Sequence, residues 1–129
     1  MSQGTILVVE DQPILRFIIE RQLRSAGFDV VAEEGGEVAL TTLETLTPDL
    51  ILLNIQLPPG IDGIEVCGRI RANRRLAHLP VIFLSARTDS ESRARCLSAG
   101  ANDYVTKPWD ASDLILRISN SIALARSQR

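Results

Sequence analysis

The sequence has little cysteine, few aromatic side chains and no long apolar segment, and these shortages exclude several classes of protein. Only two cysteines, Cys67 and Cys96, occur among 129 residues, and neither has a histidine or a second cysteine near it in the sequence. A secreted disulfide framework or a zinc site would need more of these ligands, placed closer together. We therefore expect two small, partly buried thiols in a reducing cytosol.

Membrane segments and basic stripes are also missing. No apolar run approaches the roughly 20 residues that a membrane-spanning helix requires, and the N-terminus lacks the apolar core of a secretory signal. Lysine and arginine are scattered along a chain of net charge −2. Because binding to nucleic acid needs clustered positive charge, the expectation is a cytoplasmic protein that has neither nucleic acid nor a membrane as a partner.

The chain does have enough apolar residues for one hydrophobic core. The apolar fraction is 45% and the charged fraction is 23%, both normal for a globular protein. A length of 129 residues suits one domain, and no linker or low-complexity segment divides the chain. We expect a single domain over residues 1–129.

Five short apolar runs alternate with five amphipathic segments, a pattern that predicts an α/β fold. Several runs are apolar on consecutive residues, as expected for strands covered on both faces. The predicted strands are Thr5–Val9, Asp29–Ala32, Leu50–Leu53, Val81–Leu84 and Tyr104–Thr106. The predicted helices are Pro13–Ala26, Glu37–Leu46, Ile64–Ala72, Ser90–Ala99 and Ala111–Ala125. Repeated strand–helix units imply right-handed crossovers and a parallel sheet with helices on both faces.

An acidic pair, Glu10 and Asp11, follows the first predicted strand. In a parallel α/β sheet, ligands bind beyond the carboxyl ends of the strands, where this pair is expected to lie. Two adjacent carboxylates in a cleft repel each other unless a cation compensates them, and Mg²⁺ prefers oxygen ligands. The alternative to a metal site is that Asp11 caps the following helix and that Glu10 is solvated.

Three more polar residues lie at the ends of other predicted strands. Asn54 follows the third strand, Ser85 the fourth and Lys107 the fifth. Taken singly, each is an ordinary turn or strand-end residue. A hydroxyl can bond a ligand oxygen, however, and lysine is a mobile charge suited to phosphate. Their convergence with the acidic pair suits a metal ion and a phosphoryl group.

With these motifs in order, the sequence resembles the receiver domains of two-component response regulators over essentially its whole length. The motifs that carry the resemblance are Glu10-Asp11, Asn54 in PDLILLNIQLP, Ser85 in VIFLSA, and Tyr104 with Lys107 in GANDYVTKP. The resemblance implies the flavodoxin-like fold, a doubly wound five-stranded parallel sheet of order 2-1-3-4-5. It also implies a stand-alone receiver, similar to the chemotaxis type, with no output domain.

The resemblance further implies a metal site at the acidic pair. Mg²⁺ would be held by Glu10, Asp11, the residue at Asn54 and the backbone carbonyl of Gln56. The position of Asn54 is also that of the aspartate that accepts the phosphoryl group in this family.

Three other residues receive roles from the same resemblance. Lys107 would contact the phosphoryl oxygens, and Ser85 and Tyr104 would switch the output face. The implied partners are a sensor histidine kinase or histidine phosphotransfer protein upstream and a protein target downstream. A homodimer through the fourth and fifth predicted helices is a further expectation. Such a domain is a switch and not an enzyme.

Asn54 departs from the family because the acceptor is an aspartate there. A neutral amide is a weak nucleophile, so we predict no phosphoryl transfer to Asn54 at a useful rate. The change also removes a negative charge beside the metal. At about 4 Å and an effective dielectric constant of about 20, a charge pair is worth about 4 kcal/mol before desolvation. We expect weaker Mg²⁺ binding rather than none, because the Asn54 carbonyl could still be a ligand.

Two explanations of Asn54 remain open. One is a deliberate Asp→Asn substitution that fixes the domain in its unphosphorylated form, in which case the parent accepts the phosphoryl group. The other is a natural pseudo-receiver that binds proteins independently of phosphorylation. Retention of the other site residues favours the first explanation.

Two functions of other classes fit the sequence less well. A Mg²⁺-dependent phosphohydrolase needs a nucleophilic aspartate and normally a cap domain. A flavin-binding module needs a phosphate-cradling loop after the first strand, where this chain has Glu-Asp-Gln-Pro.

Overall fold

A central sheet of five parallel strands organises the molecule. The structure is a computed structural model that describes residues 2–128, and Met1 and Arg129 lie outside the described residues. The strands are β1 Thr5–Val9, β2 Asp29–Glu33, β3 Leu50–Leu53, β4 Val81–Ser85 and β5 Asp103–Thr106. Their order is β2-β1-β3-β4-β5, and every neighbouring pair is parallel. The predicted flavodoxin-like fold and strand order are therefore confirmed.

Five helices cover the two faces of the sheet. They are α1 Pro13–Ser25, α2 Gly36–Thr42, α3 Gly63–Ala72, α4 Ser90–Ser98 and α5 Ala111–Ser127. The predicted end of α2 at Leu46 is wrong by four residues. The amide of Glu44 donates to the carbonyl of Thr41, so the chain closes into a tighter turn after Thr42.

The sheet separates two apolar layers, which explains why its strands are apolar on consecutive residues. Along β1, Ile6 and Val8 point into the layer beneath α1 and α5, whereas Leu7 and Val9 point into the layer beneath α2, α3 and α4. All four side chains are at most 1% exposed. Successive residues of a strand point to opposite faces of the sheet. Because neither face meets water, the residues on both faces must be apolar.

Helix α4 packs against the core through few side chains. Its buried residues are Ser92 and Cys96, whereas the apolar side chain of Leu97 is 47% exposed. Cys67 and Cys96 are both fully buried rather than partly buried. Burial raises the pKa of the Cys67 thiol, and it raises the pKa of Cys96 to about 11, so both remain protonated thiols at neutral pH.

Asp89 begins α4 by accepting a hydrogen bond from the amide of Ser92 at 2.9 Å. The backbone and side-chain hydrogen bonds from Ser92, followed by the one from Arg87, lower the pKa of Asp89 to about 2. Since the folded pKa is below the ordinary value of about 3.9, this cap stabilises the fold above about pH 4 and is lost toward pH 2. We expect an NMR titration of the Asp89 carboxyl carbon to have its midpoint near pH 2. A midpoint near pH 4 would show that the cap is not formed in solution.

All five parallel strands end at one edge of the sheet, and the predicted site residues lie at the ends of four of them, β1, β3, β4 and β5.

Within residues 2–128, no helix combines the length and the apolar character that crossing a membrane requires.

Candidate functional site

Backbone hydrogen bonds continue past the strand ends and fix the residues that follow them. The amide of Asn54 donates to Val9 at 3.0 Å, and the amide of Lys107 donates to Ser85 at 2.8 Å. The amide of Glu10 donates to Glu33 at 3.0 Å. These three residues therefore leave the sheet in register with one another, with their side chains at a common edge.

Glu10 and Lys107 form a buried ion pair at this edge. Lys107 Nζ lies 2.7 Å from Glu10 Oε1, and the two side chains are 11% and 2% exposed. The second oxygen of Glu10 accepts the amide hydrogen of Gln12 at 3.1 Å. The alternative in which Glu10 is solvated is wrong. Lys107, for which a contact with phosphoryl oxygens is expected, compensates the charge of Glu10 in this structure.

Asp11 faces the pocket and does not cap α1. The residue at the N-cap of α1 is Gln12, which makes no side-chain capping bond. Asp11 Oδ1 accepts a hydrogen bond from Asn54 Nδ2 at 3.2 Å. The structure thus brings the end of β1 and the end of β3 into direct side-chain contact.

The side-chain amide of Asn54 is bonded at both ends. Its nitrogen lies 3.4 Å from Glu10 Oε2, 3.2 Å from Asp11 Oδ1 and 3.1 Å from the carbonyl oxygen of Gln56. Its oxygen accepts the amide hydrogen of Ile55 at 3.0 Å. The nitrogen, and not the oxygen that metal ligation would need, therefore points toward the acidic pair.

These three oxygens are of the kind that Mg²⁺ prefers, but the point on which they converge is filled by a hydrogen-bond donor. No group of three or more His, Cys, Asp or Glu side chains among residues 2–128 is arranged to hold a metal ion. With Asn54 in this orientation, a metal ion could bind these oxygens only after the side-chain amide had moved away from them.

Ser85 and Tyr104 meet at the backbone of Arg87. The Ser85 hydroxyl accepts from the Arg87 amide at 3.1 Å, and the Tyr104 hydroxyl donates to the Arg87 carbonyl at 2.6 Å. Tyr104 is 5% exposed, and the guanidinium of Arg93 lies 5.1 Å from its ring centroid. Sequence reasoning missed Arg87, because a contact made by backbone atoms leaves no pattern in side-chain types.

A cavity of about 600 Å³ opens beside Asp11. The proline-rich segment Leu57–Gly60 forms part of its wall, and Glu34 and Glu37 line the cavity as well. Glu37 accepts the amide hydrogen of Ile61 at 2.9 Å and so ties the loop to α2. The sequence offered no signal for these two carboxylates beyond their acidity.

Trp109 connects the loop that carries Lys107 to α1. Its indole nitrogen donates to Gln22 Oε1 at 2.7 Å, and its ring packs against the core layer beneath α1 and α5. Because Trp109 lies two residues after Lys107, it is a natural fluorescent reporter of the loop that carries this lysine.

Helix α1 carries an exposed apolar surface directly after the acidic pair. Ile14, Phe17 and Ile18 are 76%, 60% and 37% exposed, and we call these three residues the α1 apolar face. They lie at i, i+3 and i+4, so they form one patch on the helix. Sequence reasoning considered only the buried stripe of this helix and missed the patch.

Comparison with known proteins identifies the family to which the chain is similar. The family model described as the response regulator receiver domain matches residues 6–119. The DNA-binding response regulator MtrA of Mycolicibacterium smegmatis is 41% identical over 113 residues, which are 88% of this chain and 48% of that protein. The phosphate regulon transcriptional regulatory protein PhoB of Rhizobium meliloti is 37% identical over 123 residues, 95% of this chain and 54% of that protein. The chain thus spans about half the length of these relatives.

Solved structures agree with these relatives. A response regulator from Chloroflexus aurantiacus superposes with a TM-score of 0.89 at 35% identity, over 93% of this chain and 98% of that chain. The receiver domain of the sensor histidine kinase PA1611 from Pseudomonas aeruginosa superposes with a TM-score of 0.87 at 35% identity, with the same coverage. That crystal structure has a magnesium ion coordinated in its active site cleft.

Proposed function

The chain belongs to the receiver domain family of response regulators, and on that premise we propose that it is a protein-binding module that does not itself accept a phosphoryl group. One observation carries the proposal. The residue at the end of β3, where the family has its acceptor aspartate, is Asn54, and its amide is hydrogen-bonded at both ends. The rest of the receiver pocket, including Glu10, Asp11 and Lys107, surrounds it.

The chemistry of Asn54 supports the absence of phosphoryl transfer. A carboxylate attacks phosphorus with a charged oxygen, whereas the amide oxygen is neutral and already accepts the Ile55 amide hydrogen. In the proposed parent, an aspartate would take the phosphoryl group from a histidine kinase. The alternative, a natural pseudo-receiver, predicts the same behaviour of this chain.

We also propose that this pocket binds Mg²⁺ more weakly than receivers that have an aspartate at this position. Replacing a carboxylate by an amide removes one of the negative charges that favour a divalent cation. The ion pair between Lys107 and Glu10 acts in the same direction, because it already compensates part of the remaining charge.

The α1 apolar face is the proposed docking surface for a sensor histidine kinase or a histidine phosphotransfer protein. Three exposed apolar side chains in one patch are unusual for a solvated helix and favour contact with a partner. The patch follows the acidic pair in the chain, so a helix bound there would lie beside the pocket. Arg21, whose guanidinium is 5.7 Å from the Phe17 ring centroid, adds a positive charge at its edge.

Phe17→Ala is expected to weaken binding to the phosphotransfer domain of a histidine kinase by at least about tenfold. Burial of a phenylalanine side chain contributes about 1.5–3 kcal/mol, and about 1.4 kcal/mol corresponds to a tenfold change. The binding is measured by calorimetry against the kinase domains of the same organism. The unaltered chain should bind equally well with and without a phosphodonor.

Leu124→Ala is the matched control. Leu124 is 59% exposed, close to the 60% of Phe17, but it lies on α5 beside His78 and Pro80, at the edge where β4 begins. Its replacement should leave the affinity unchanged. Equal losses in both variants would refute docking on α1.

Output would occur at α4 and α5, which cover the two faces of the sheet beside β5. Tyr104 lies inward and holds the Arg87 carbonyl, which supports a fixed conformation of the loop before α4. We propose that this face binds the downstream protein target or a second copy of the chain. The domain is thus proposed to be a cytoplasmic switch element and not an enzyme.

A further inference from the structure

We propose that the side-chain amide of Asn54 occupies the position of a cation in this pocket, so that it excludes Mg²⁺ by direct competition. This inference rests on the proposed function, because it takes the pocket to be a receiver site with Asn54 at the acceptor position. It goes further by assigning the exclusion of metal to a specific group and not only to a missing charge.

The first reason is that three oxygens of the pocket converge on the side-chain nitrogen of Asn54. Three oxygens from two segments of the chain, Glu10 Oε2, Asp11 Oδ1 and the carbonyl of Gln56, all lie between 3.1 and 3.4 Å from the same nitrogen, Asn54 Nδ2. An NH₂ group carries a partial positive charge and donates two hydrogen bonds, which these oxygens share. The nitrogen therefore satisfies the same oxygens that a hard cation would draw together.

The second reason is that the amide cannot turn over without loss. The Asn54 oxygen accepts the amide hydrogen of Ile55 at 3.0 Å. A half-turn of the side-chain amide would place its NH₂ group against that N–H donor and its oxygen against three other oxygens. Both ends would then face groups of their own kind, so the orientation that could ligate a metal is disfavoured.

The third reason is that the buried oxygens of the pocket already have hydrogen-bond partners. Glu10 Oε1 is bound by Lys107 Nζ at 2.7 Å, and its other oxygen also accepts from the Gln12 amide. Within residues 2–128, no buried side-chain nitrogen or oxygen lacks a hydrogen-bond partner. A metal ion would have to displace bonds that already exist, which costs free energy.

Two explanations of weak Mg²⁺ binding are the missing negative charge at position 54 and the occupation of the cation position by the Asn54 amide. They predict different Mg²⁺ affinities when Asn54 is replaced by another neutral residue. Asn54→Ala is as uncharged as asparagine but has no NH₂ group. If charge alone decides the affinity, this variant binds Mg²⁺ no better than the unaltered chain. If the amide occupies the position, removal of the NH₂ group frees the three oxygens and Mg²⁺ binds more tightly.

The test is a Mg²⁺ titration of the unaltered chain, Asn54→Ala and Asn54→Asp, followed by Trp109 fluorescence and by the shift in melting temperature. We expect Asn54→Ala to bind Mg²⁺ about tenfold more tightly than the unaltered chain, and Asn54→Asp to bind more tightly still. Asn54→Ser, which is also neutral and shorter than asparagine, replaces Asn54→Ala if that variant does not fold.

The outcomes separate this inference from the proposed function. Equal or weaker Mg²⁺ binding by Asn54→Ala, with tight binding by Asn54→Asp, would overturn the role of the amide and leave the receiver assignment intact. Absence of Mg²⁺ binding by Asn54→Asp would overturn the assignment of the pocket itself. Tighter binding by both variants, in the expected order, would support both.

Discussion

Asn54→Asp is expected to turn a chain that accepts no phosphoryl group into one that accepts a single group from a small phosphodonor in the presence of Mg²⁺. The variant supplies the charged oxygen that in-line attack on phosphorus requires. It also removes the NH₂ group that now bonds Asp11 and Gln56. Because the rest of the receiver pocket is present, one substitution should be sufficient.

The same variant should depend on Mg²⁺ for its stability. Three carboxylates would then lie together at the ends of β1 and β3, with Lys107 as the compensating charge. Without a divalent cation their repulsion should lower the melting temperature below that of the unaltered chain, and Mg²⁺ should restore it. The measurements are a thermal unfolding series with and without Mg²⁺ and the rate of phosphoryl incorporation.

Gln56→Asp is the matched control for this substitution. It adds the same charge two residues further along the chain, on an exposed side chain of which only the backbone carbonyl contacts the pocket. It should neither accept a phosphoryl group nor acquire dependence on Mg²⁺. Phosphoryl incorporation by this control at the rate of Asn54→Asp would mean that general charge, and not the acceptor position, controls the chemistry.

Lys107→Met is expected to give the largest loss of stability of any single change in the pocket, about 3–5 kcal/mol in the free energy of unfolding. The reason is Glu10, whose side chain is 2% exposed and would lose its ion-pair partner while remaining buried. Methionine is unbranched and only one atom shorter than lysine, so little packing volume is lost. The measurement is denaturant unfolding at neutral pH.

Two comparisons show whether the unpaired charge is the cause. In the double variant Lys107→Met with Glu10→Gln no buried charge remains, and most of the lost stability should return. Arg69→Met breaks an exposed ion pair with Glu65, whose side chains are 57% and 50% exposed, and should cost less than about 1 kcal/mol. A double variant as unstable as Lys107→Met would contradict the explanation.

The fold could be predicted from the sequence because the apolar pattern within each segment and the alternation of strands and helices indicate the same fold. The consecutive apolar residues of Leu50–Leu53 identify a strand buried on both faces, and the structure gives that strand the same bounds. Helix ends were less predictable. The apolar pattern after Gly36 continues to Leu46, but hydrogen-bond geometry closes the helix at Thr42, and only the backbone decides between the two.

The candidate site could be predicted in its membership but not in its contacts. Parallel strands bring their ends to one edge, so the residues after β1, β3, β4 and β5 had to be neighbours. Which atoms pair was not encoded locally. Lys107 bonds Glu10 across 97 residues, and the orientation of the Asn54 amide depends on both Asp11, 43 residues away, and its own neighbour Ile55.

The α1 apolar face was missed for a different reason. The buried stripe of this helix, which includes Ile19 and Leu23, already accounts for an amphipathic pattern. Ile14, Phe17 and Ile18 fall outside that stripe, and only the structure shows that they stay exposed among the described residues 2–128. An apolar residue on the wrong side of a helical pattern is the sequence signal that would have identified this surface.

Intact mass spectrometry of the unaltered chain, after incubation with Mg²⁺ and a small phosphodonor, tests the central claim most directly. The chain with Asn54 should keep its mass, while Asn54→Asp, treated in parallel, gains the mass of one phosphoryl group. A gain of one phosphoryl group by the unaltered chain, mapped to Asn54, would contradict the claim that this receiver works without phosphoryl transfer.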